Sequence, residues 1–394
     1  MRVLDFSIML AGPYGARLLA DLGADVIKIE PPEGDDMRLR HPLRTATDGT
    51  RHSTYFGQLN AGKRSIALDL KHPQALALVK RLALQADVVI ENFRPGVMQR
   101  LGLGAEVLRA LNPRLVYCSV SGYGQSGANA RRAAYAMLVQ AESGYERTLA
   151  RWAGDGKGGD GHGRPAPTAT FTADLLGGIF AFSAIQTALV QRARTGEGQV
   201  IDVALMDSML NLLIYELQEA QFPLMVPRPV YGPVAAADGD VLIAPITVRN
   251  FEALAEVTQL AALREDPRFA TLPSRGANWP AMMAVLEKWT RTRPVAEVVR
   301  LLEGAGVPCA RYNEPGDSLR DEQLAARGLF ATVQDAAGSF TGVNAPWQMS
   351  AAGSAIGTQV AAVGEDTEAV LAQWLELDVD EVARLRGAGA FGGR

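Results

Sequence analysis

The first third of the chain alternates between short β-branched runs and segments with helical periodicity, and this alternation restricts the fold more than any other feature. The strand-like runs are RVLDFS, DVIKIE, SIALDL, DVVIENF and RLVYCSVSGY. Strands that alternate with helices form βαβ units, so the sequence predicts an α/β fold with a Rossmann-like parallel sheet. Ligands of such sheets bind beyond the carboxyl ends of the strands, which here carry IEPP, ENFRPG and SGYGQSG.

The length of the chain predicts two domains, because 394 residues exceed what one ordinary hydrophobic core holds. The proline-rich stretch FPLMVPRPVYGPV is typical of a linker. A second unit follows it, beginning with the strand-like GDVLIAPI and closing near GVPCARYNEP. The tail has the pattern of two amphipathic helices.

Composition excludes several classes of protein. A formal charge of −4 argues against nucleic acid as a partner, and the two cysteines, far apart in sequence, give no disulfide framework. No Cys/His spacing is typical of a metal site, so none is predicted. The N-terminus lacks the pattern of a signal peptide, and we expect no apolar run of membrane-spanning length. These features favour a cytoplasmic protein without a membrane partner.

Three local features leave alternatives open. Asp174 is the one acid in TATFTADLLGGIF, and it either caps the following helix or performs a chemical task. The glycine-rich segment 153–163 reads as a surface loop or as a lid over a site. The basic stretch MRLRHPLRTATDGTRH is a solvated surface or a site for anions. Common catalytic signatures such as GxSxG, HExxH and Walker A are absent from the sequence.

A set of stretches in fixed order resembles the class III coenzyme A transferases, the CaiB/BaiF-like family that includes formyl-CoA transferase and the carnitine CoA-transferases. Each stretch is weak alone, but together they run nearly end to end and are specific. They are LAGPYGARLLADLGADVIKIEPPEGDDMR, NAGKRSIALDL, DVVIENFRPGVMQRLGL, LNPRLVYCSVSGYGQSG, QAESGY, ADLLGGIFA, RTGEGQVIDVALMDSML, GVPCARYNEP and VGEDTEAVLAQWLELDVDEVARLRGAGAF.

The resemblance implies a covalent mechanism in which Asp174 is the nucleophile. Its carboxylate attacks an acyl-CoA thioester and forms an aspartyl anhydride, then an aspartyl-CoA thioester. The family places glycine-rich loops over the site, so Gly177, Gly178 or the 154–161 segment are candidate oxyanion donors. Coenzyme A or acyl-CoA would then be a substrate, and no permanently bound cofactor is expected.

Further residues match positions that contact CoA in the family. They are Arg38, Lys63, Arg64, Asn92, Phe93, Arg94, Arg100 and Tyr123. The family also forms an intertwined homodimer, which we expect here. By the same resemblance, residues 1–222 form the N-terminal part of a large domain, 235–312 a small α/β domain, and 345–394 a C-terminal segment that returns to the large domain. Residues 223–234 and 313–344 would be linkers.

Substrate and rival functions are less defined by the sequence. Formyl-CoA transferase has a glutamine where this chain has Leu10, which argues against oxalate or formate. The basic stretch suggests a dicarboxylic acceptor held by Arg40, His41 and His52, with succinyl-CoA as a donor.

One alternative function is a 2-methylacyl-CoA racemase on the same fold, but Tyr135 and Ala136 replace its His/Asp pair. Another is a non-catalytic nucleotide-binding protein, which would have no use for Asp174.

Overall fold

The structure is a computed structural model that describes residues 1–153, 165–225 and 228–391. Its strands are β1 (Arg2–Asp5), β2 (Asp25–Glu30), β3 (Leu43–Thr45), β4 (Arg51–Ser53), β5 (Arg64–Ala67), β6 (Val88–Glu91), β7 (Val116–Ser121), β8 (Val200–Ala204), β9 (Val234–Ala235), β10 (Asp240–Ile243), β11 (Cys309–Arg311), β12 (Phe330–Asp335) and β13 (Gly338–Val343).

The helices include one long element, α8, and many short ones. They are α1 (Ala11–Asp21), α2 (Thr54–Asn60), α3 (Pro73–Gln85), α4 (Val97–Arg100), α5 (Ala105–Leu111), α6 (Ala136–Glu142), α7 (Tyr145–Ala153), α8 (Thr172–Thr195), α9 (Leu205–Leu212), α10 (Ile214–Gln221), α11 (Val248–Thr258), α12 (Ala261–Glu265), α13 (Leu272–Ala277), α14 (Trp279–Thr290), α15 (Val295–Gly304), α16 (Pro315–Ser318), α17 (Glu322–Ala326), α18 (Thr367–Leu375) and α19 (Val379–Gly387).

The chain divides into two compact units. The first contains Met1–Tyr145, Thr168–Leu212 and Glu322–Arg394, and the second contains Glu146–Pro167 and Leu213–Asp321. The first unit is built on a six-stranded sheet in the order β5-β2-β1-β6-β7-β8, with every neighbouring pair parallel. The predicted α/β fold with a Rossmann-like parallel sheet is confirmed.

Each face of this sheet carries its own hydrophobic core, because successive side chains of a strand point to opposite faces. On one face Leu4 and Ile27 pack with residues of α3, α5 and α18. On the other face Val3 and Val26 pack with residues of α1 and α8. Both faces of the strands are therefore buried, which explains their nearly continuous apolar runs.

The second unit has a smaller sheet of its own. Strand β10 lies between β9 and β11 and is antiparallel to both. Helices α11, α14 and α15 contribute Phe251, Leu254, Leu286 and Val298 to one core with Val241 and Ile243 of β10. This unit is thus a small α/β body with a core separate from those of the parallel sheet.

Two expectations need correction. Residues 313–344, predicted to be a linker, contain α16, α17 and the antiparallel hairpin β12–β13. The hairpin forms because FATVQD and GSFTGV flank a turn at Ala336 and Ala337, and Gly338 has the φ of 103° that a glycine adopts freely. We expected no apolar run of membrane-spanning length, and for α8 this expectation is wrong, because α8 is long and apolar enough to cross a membrane by length and composition alone. A core helix of a globular protein can have the same length and composition, and α8 packs against β7, β8 and α1.

Candidate active site

Asp174 lies in the first turn of α8, in the unit that holds the parallel sheet. It does not cap the helix, because Phe171 occupies the N-cap position and provides no side-chain hydrogen bond. Within residues 1–153, 165–225 and 228–391 the half-buried Asp174 carboxylate forms no hydrogen bond or ion pair. Burial raises its pKa from 3.8 to about 6. An unpaired carboxylate in such surroundings is a candidate functional group rather than a structural acid.

A close packing of α1 against α8 determines where Asp174 faces. A Cβ atom on Gly178 would lie 2.6 Å from the carbonyl oxygen of Ala11, and one on Gly15 would lie 2.9 Å from the carbonyl oxygen of Gly178. Residues four apart on a helix share a face, so Asp174 lies on the α1 side of α8, one turn before Gly178. Gly15 also lies next to Ala181, so α1 and α8 run in the same direction and the first turn of α8 lies on the side of the start of α1.

The same packing corrects the prediction for Gly177 and Gly178 as oxyanion donors. Both lie inside α8 from its second turn onward, where backbone N–H groups bond to carbonyl oxygens of the helix itself. A side chain on Gly177 would overlap Leu205, and one on Gly178 would overlap α1. These glycines are required for close helix packing. The 154–161 segment lies outside the described residues.

The loop between β1 and α1 offers better oxyanion donors. Met9 has a φ of 62°, in the region that non-glycine residues rarely adopt. In the described part of the chain, the N–H groups of Met9 and Leu10 have no acceptor. No side chain caps the N-terminus of α1, so the positive end of its dipole is open. This loop is the part of the site that the sequence patterns did not reveal.

Asn92 holds that loop in place. Its Oδ1 accepts the N–H of Ile8 at 2.8 Å, and its Nδ2 donates to the carbonyl oxygen of Ile8 at 2.7 Å. The neighbouring Ser7 donates its N–H to Asp5 and accepts from Lys28. Asn92, predicted to contact CoA, therefore has its amide engaged in positioning Ile8.

Tyr55 is a site residue that the sequence analysis missed. It lies half-buried in α2, and its pKa is raised to about 12 by burial and by the negative charge of Asp174. The two residues are far apart in the sequence, and nothing in the run HSTYFGQ distinguishes this tyrosine from a core aromatic. Only the tertiary fold brings its ring within electrostatic range of Asp174.

Three of the predicted cationic CoA contacts form ion pairs, namely Lys63, Arg38 and Arg64. The fully buried Lys63 donates to Asp5 at 2.8 Å and also to the carbonyl oxygen of Pro13. Arg38, at the edge beyond β2, donates twice to Glu30 at 2.7 and 2.8 Å. Lys63 is thus a structural cation, whereas the side chain of Arg38 is partly exposed.

Arg64 lies at the wrong edge of the sheet for the predicted role. It begins β5 and forms an ion pair with Asp25, which begins β2. Its guanidinium therefore lies toward the amino ends of these strands, whereas Asn92 and Met9 follow the carboxyl ends of β6 and β1. The family resemblance suggested a CoA contact for Arg64, whereas in this structure its guanidinium is engaged by Asp25.

The remaining predicted residues are distributed over the carboxyl edge. Arg94 and Arg100 are exposed and form no ion pair in the part of the chain that the structure describes, whereas Phe93 packs on the core. The hydroxyl of Tyr123 donates to Glu142 at 2.9 Å, and Arg132 stacks over its ring. Of the eight candidates, Arg94 and Arg100 are the cations that have no ion pair with any residue the structure describes.

The acceptor candidates are not brought to Asp174 by any described contact. Arg40 and His41 are exposed after a short 3-10 turn, and His52 in β4 contacts the hydroxyl of Thr50 at 3.0 Å. The structure places all three on the strand-turn region that follows β2. A role for them in binding an acid stays a prediction.

Comparison with known proteins identifies the family. The model of CoA-transferase family III matches residues 1–367. The chain is 36% identical over 363 residues to the succinate–glutarate CoA-transferase of Agrobacterium fabrum, covering 89% of this chain and 88% of that protein. It is 38% identical over 341 residues to the acetyl-CoA:oxalate CoA-transferase of Acetobacter aceti, covering 83% of each.

A solved structure agrees. The crystal structure of a CaiB/BaiF family protein from Brucella suis matches with a TM-score of 0.82 and 34% identity, covering 95% of this chain and 98% of that one. The family match spans the sheet, the β1–α1 loop and the start of α8, where the unpaired Asp174 lies. The chain belongs to CoA-transferase family III and is a CoA-transferase, an enzyme whose substrates are CoA thioesters.

Proposed function

We propose that this enzyme transfers CoA between carboxylic acids through covalent intermediates on Asp174. The observation that carries the proposal is the half-buried Asp174 carboxylate, which has no hydrogen bond or ion pair among the described residues and has a pKa raised to about 6. At neutral pH it is ionised yet poorly solvated, which makes it more reactive toward a thioester carbonyl.

The proposed sequence balances in four steps. Asp174 attacks the carbonyl carbon of acyl-CoA, the C–S bond breaks, and CoA leaves as a thiolate from a mixed anhydride. The thiolate attacks the Asp174 carbonyl carbon, releases the donor carboxylate and leaves an aspartyl-CoA thioester. The acceptor carboxylate attacks that thioester, and the displaced thiolate then attacks the acceptor carbonyl. The products are the new acyl-CoA and free Asp174, and no proton is consumed.

Each tetrahedral step develops negative charge on a carbonyl oxygen. The N–H groups of Met9 and Leu10, together with the open N-terminus of α1, are suited to stabilise this charge. Tyr55 is the ionisable hydroxyl that interacts electrostatically with Asp174. Its pKa of about 12 keeps it protonated, so it is able to donate a hydrogen bond to an oxyanion in this site.

Trapping of the intermediate tests the mechanism. With acyl-CoA present, hydroxylamine should convert Asp174 to a hydroxamate, which a peptide mass spectrum of the digested enzyme detects. Without acyl-CoA the peptide should be unmodified, because a free carboxylate does not react. The hydroxamate on another residue, or on none while the enzyme turns over, would rule out the aspartyl intermediate.

The acceptor is proposed to be a dicarboxylic acid, with succinyl-CoA as one donor. The support is that two similar enzymes are named for succinate with glutarate and for oxalate, all of which are dicarboxylic acids. The basic stretch with Arg40, His41 and His52 is consistent with a second carboxylate. Incubation with succinyl-CoA and a panel of mono- and dicarboxylic acids, scored for new thioesters by mass, tests this. Exchange with monocarboxylic acids alone would contradict it.

We also propose that the enzyme is a homodimer. Large apolar side chains are exposed on α8, at Leu175, Ile179 and Phe180, and α10 carries Ile214 and Tyr215 without a single buried residue. Such apolar faces are covered in most proteins. Light scattering after size exclusion should give twice the chain mass of 42.1 kDa. A monomer at micromolar concentration would reject the dimer while leaving the covalent mechanism intact.

A further inference from the structure

The start of α8 is held by a side chain from another helix. Gln140 of α6 is completely buried, and its Oε1 accepts the N–H of Ala173 at 3.2 Å. Ala173 directly precedes Asp174, and it packs in the same core as Ala136 and Val139 of α6. The first turn of α8 therefore receives one of its hydrogen bonds from α6 rather than from the residue at its own N-cap.

The amide of Gln140 makes only this one bond among the residues that the structure describes. Its Nε2 is buried without an acceptor. An unsatisfied buried N–H group destabilises a fold, and an apolar side chain of similar size would avoid that cost. The bond from Ala173 to Oε1 is thus the polar interaction that gives glutamine an advantage over an apolar residue at this place.

Asp174 is the third residue of α8, a position from which an acid commonly bonds back to the N-cap residue in a capping box. Two other helices of this chain show that arrangement. In α19 the carboxylate of Glu381 accepts the N–H of Asp378 at 3.2 Å. In α16 the carboxylate of Asp317 accepts the N–H of Glu314 at 2.9 Å. In both helices the acid is engaged by its own helix terminus.

Helix α8 departs from this arrangement. Its N-cap residue is Phe171, which has no side-chain acceptor, and the carboxylate of Asp174 does not bond back to it. The acceptor that replaces a local cap comes from Gln140, at the N–H of Ala173. The start of α8 is stabilised in this way, while the carboxylate of Asp174 keeps its lone pairs unoccupied by any residue that the structure describes.

We propose that Gln140 is a positioning residue for Asp174, which takes the place of a local cap, fixes the first turn of α8 and keeps the carboxylate out of a capping box. The proposal rests on the proposed function in taking Asp174 as the nucleophile. Gln140 acts through the backbone of Ala173 and does not take part in the chemistry. A nucleophile is thereby held at a helix start without being used as the cap of that helix.

Loss of the acceptor should allow Asp174 to turn back onto its own helix. The variant Gln140→Met removes the acceptor at nearly constant volume, and the Asp174 carboxylate is then free to accept N–H groups at the start of α8. Such bonds favour the ionised form, so the pKa of Asp174 should fall from about 6 toward 3.8. The kcat should fall about a hundredfold, because the nucleophile is misplaced and engaged. The Kd for CoA should be unchanged.

The experiment compares the pH profiles of kcat/KM and the kcat values of four full-length proteins. They are the wild type, Gln140→Met, Gln140→Glu and the control Gln74→Met, at an exposed glutamine of α3. Gln140→Glu keeps an oxygen that accepts the N–H of Ala173, so kcat should return to within about tenfold of wild type and the acid limb should stay at about 6 or above. Tyr55, the titratable group that responds to the charge of Asp174, has a pKa of about 12 and stays protonated throughout.

An acid limb of Gln140→Met that stays near 6, or a kcat equal to that of Gln74→Met, would show that the bond to Ala173 is only structural and would overturn the proposal. If Gln140→Met does not fold, Phe171→Ser decides instead, because Phe171 is exposed and serine supplies a local cap. In that variant Asp174 should bond back to the N-cap, and its pKa should fall toward 3.8. A pKa that stays near 6 rejects the proposal.

The pKa of Asp174 is also measured without turnover, from the pH dependence of the difference in Tm between each protein and its Asp174→Asn version. This readout separates the two proposals. Failure of hydroxylamine trapping at Asp174 in the wild type, with the pKa shift of Gln140→Met still present, would count against the covalent mechanism and not against the role of Gln140.

Discussion

The acids at the ends of β1 and β2 and the acid at the start of α8 show two opposite environments for a carboxylate. Asp5 and Glu30 are buried, and burial alone would raise the pKa of each. At Asp5 the charges of Lys63 and Lys28 and the hydrogen bond from Lys63 outweigh burial, and at Glu30 the hydrogen bonds and charge of Arg38 do so, which holds both pKa values below the usual range.

Asp174 has no such partner among the described residues, and burial raises its pKa to about 6. Burial does not explain this difference in pKa, because Asp5 and Glu30 are more buried than Asp174 and yet have lower pKa values. The difference comes from the cations that pair with Asp5 and Glu30. A paired buried acid is part of the scaffold, because its lone pairs are occupied and its charge is neutralised. An unpaired one keeps its lone pairs for a substrate, at a cost in stability.

The largest expected effect is the loss of activity when the unpaired acid is removed. Asp174→Ala should lower kcat by about four orders of magnitude or more, because the proposed covalent intermediate forms on this carboxylate. The measurement is the rate of thioester exchange with succinyl-CoA. Asp207→Ala, which removes an exposed acid of α9, is the matched control and should retain wild-type kcat. A residual rate within tenfold of wild type in Asp174→Ala would mean that the unpaired acid is not required for catalysis.

Removal of a cation from the paired group should mainly affect stability. Lys63→Met leaves the Asp5 carboxylate buried without its partner and should lower the free energy of unfolding by about 3–5 kcal/mol. Denaturant titration measures this difference. Lys71→Met, at an exposed lysine, should stay within about 0.5 kcal/mol of wild type. Equal stability of the two variants would mean that Lys63 is not a structural cation.

Neutralising the unpaired acid Asp174 should raise the free energy of unfolding, whereas removing Lys63 should lower it. The pKa of Asp174 is higher in the folded than in the unfolded chain, so the native state binds its proton more tightly and stability is lost as pH rises from 3.8 to about 6. Asp174→Asn should therefore be more stable than wild type by about 2 kcal/mol above pH 6, and nearly equal to it near pH 4.

Melting temperatures across this range provide the measurement. Asp207→Asn is the control, and it should follow the wild type at every pH because its acid is exposed. A gain for Asp174→Asn that does not depend on pH would indicate a change in packing rather than the removal of a charge.

The smallest effect is the acid limb of the rate profile. With a pKa of about 6, Asp174 is ionised at neutral pH, and kcat/KM should fall about tenfold per pH unit below that value. A profile of kcat/KM with a limb near 4 instead would show that the carboxylate is paired or hydrated in the free enzyme. Such a result would erase the distinction between Asp174 and the scaffold acids.

The fold was largely predictable from the sequence, and the site only in part. Strands such as DVIKIE and DVVIENF were visible because both of their faces are buried. The hairpin β12–β13 was missed inside the predicted linker 313–344, since only Val333 and Gly342 of its strands are buried and the hydrophobic pattern is weak. Asp174 was found through the order of family stretches, because its local signal is that of a helix start.

The sequence by itself determined the parallel sheet and the family, and it singled out the carboxyl edge of the sheet and Asp174 as the candidate site. Tertiary structure decided which charged residues are free. Lys63 and Asp5 are 58 positions apart, and no periodicity reports that they form an ion pair. It also placed Gly178 against α1 and turned Arg64 to the opposite edge of the sheet. Local patterns record which face of an element is buried, whereas the partner of a polar group depends on elements that meet only when the chain folds.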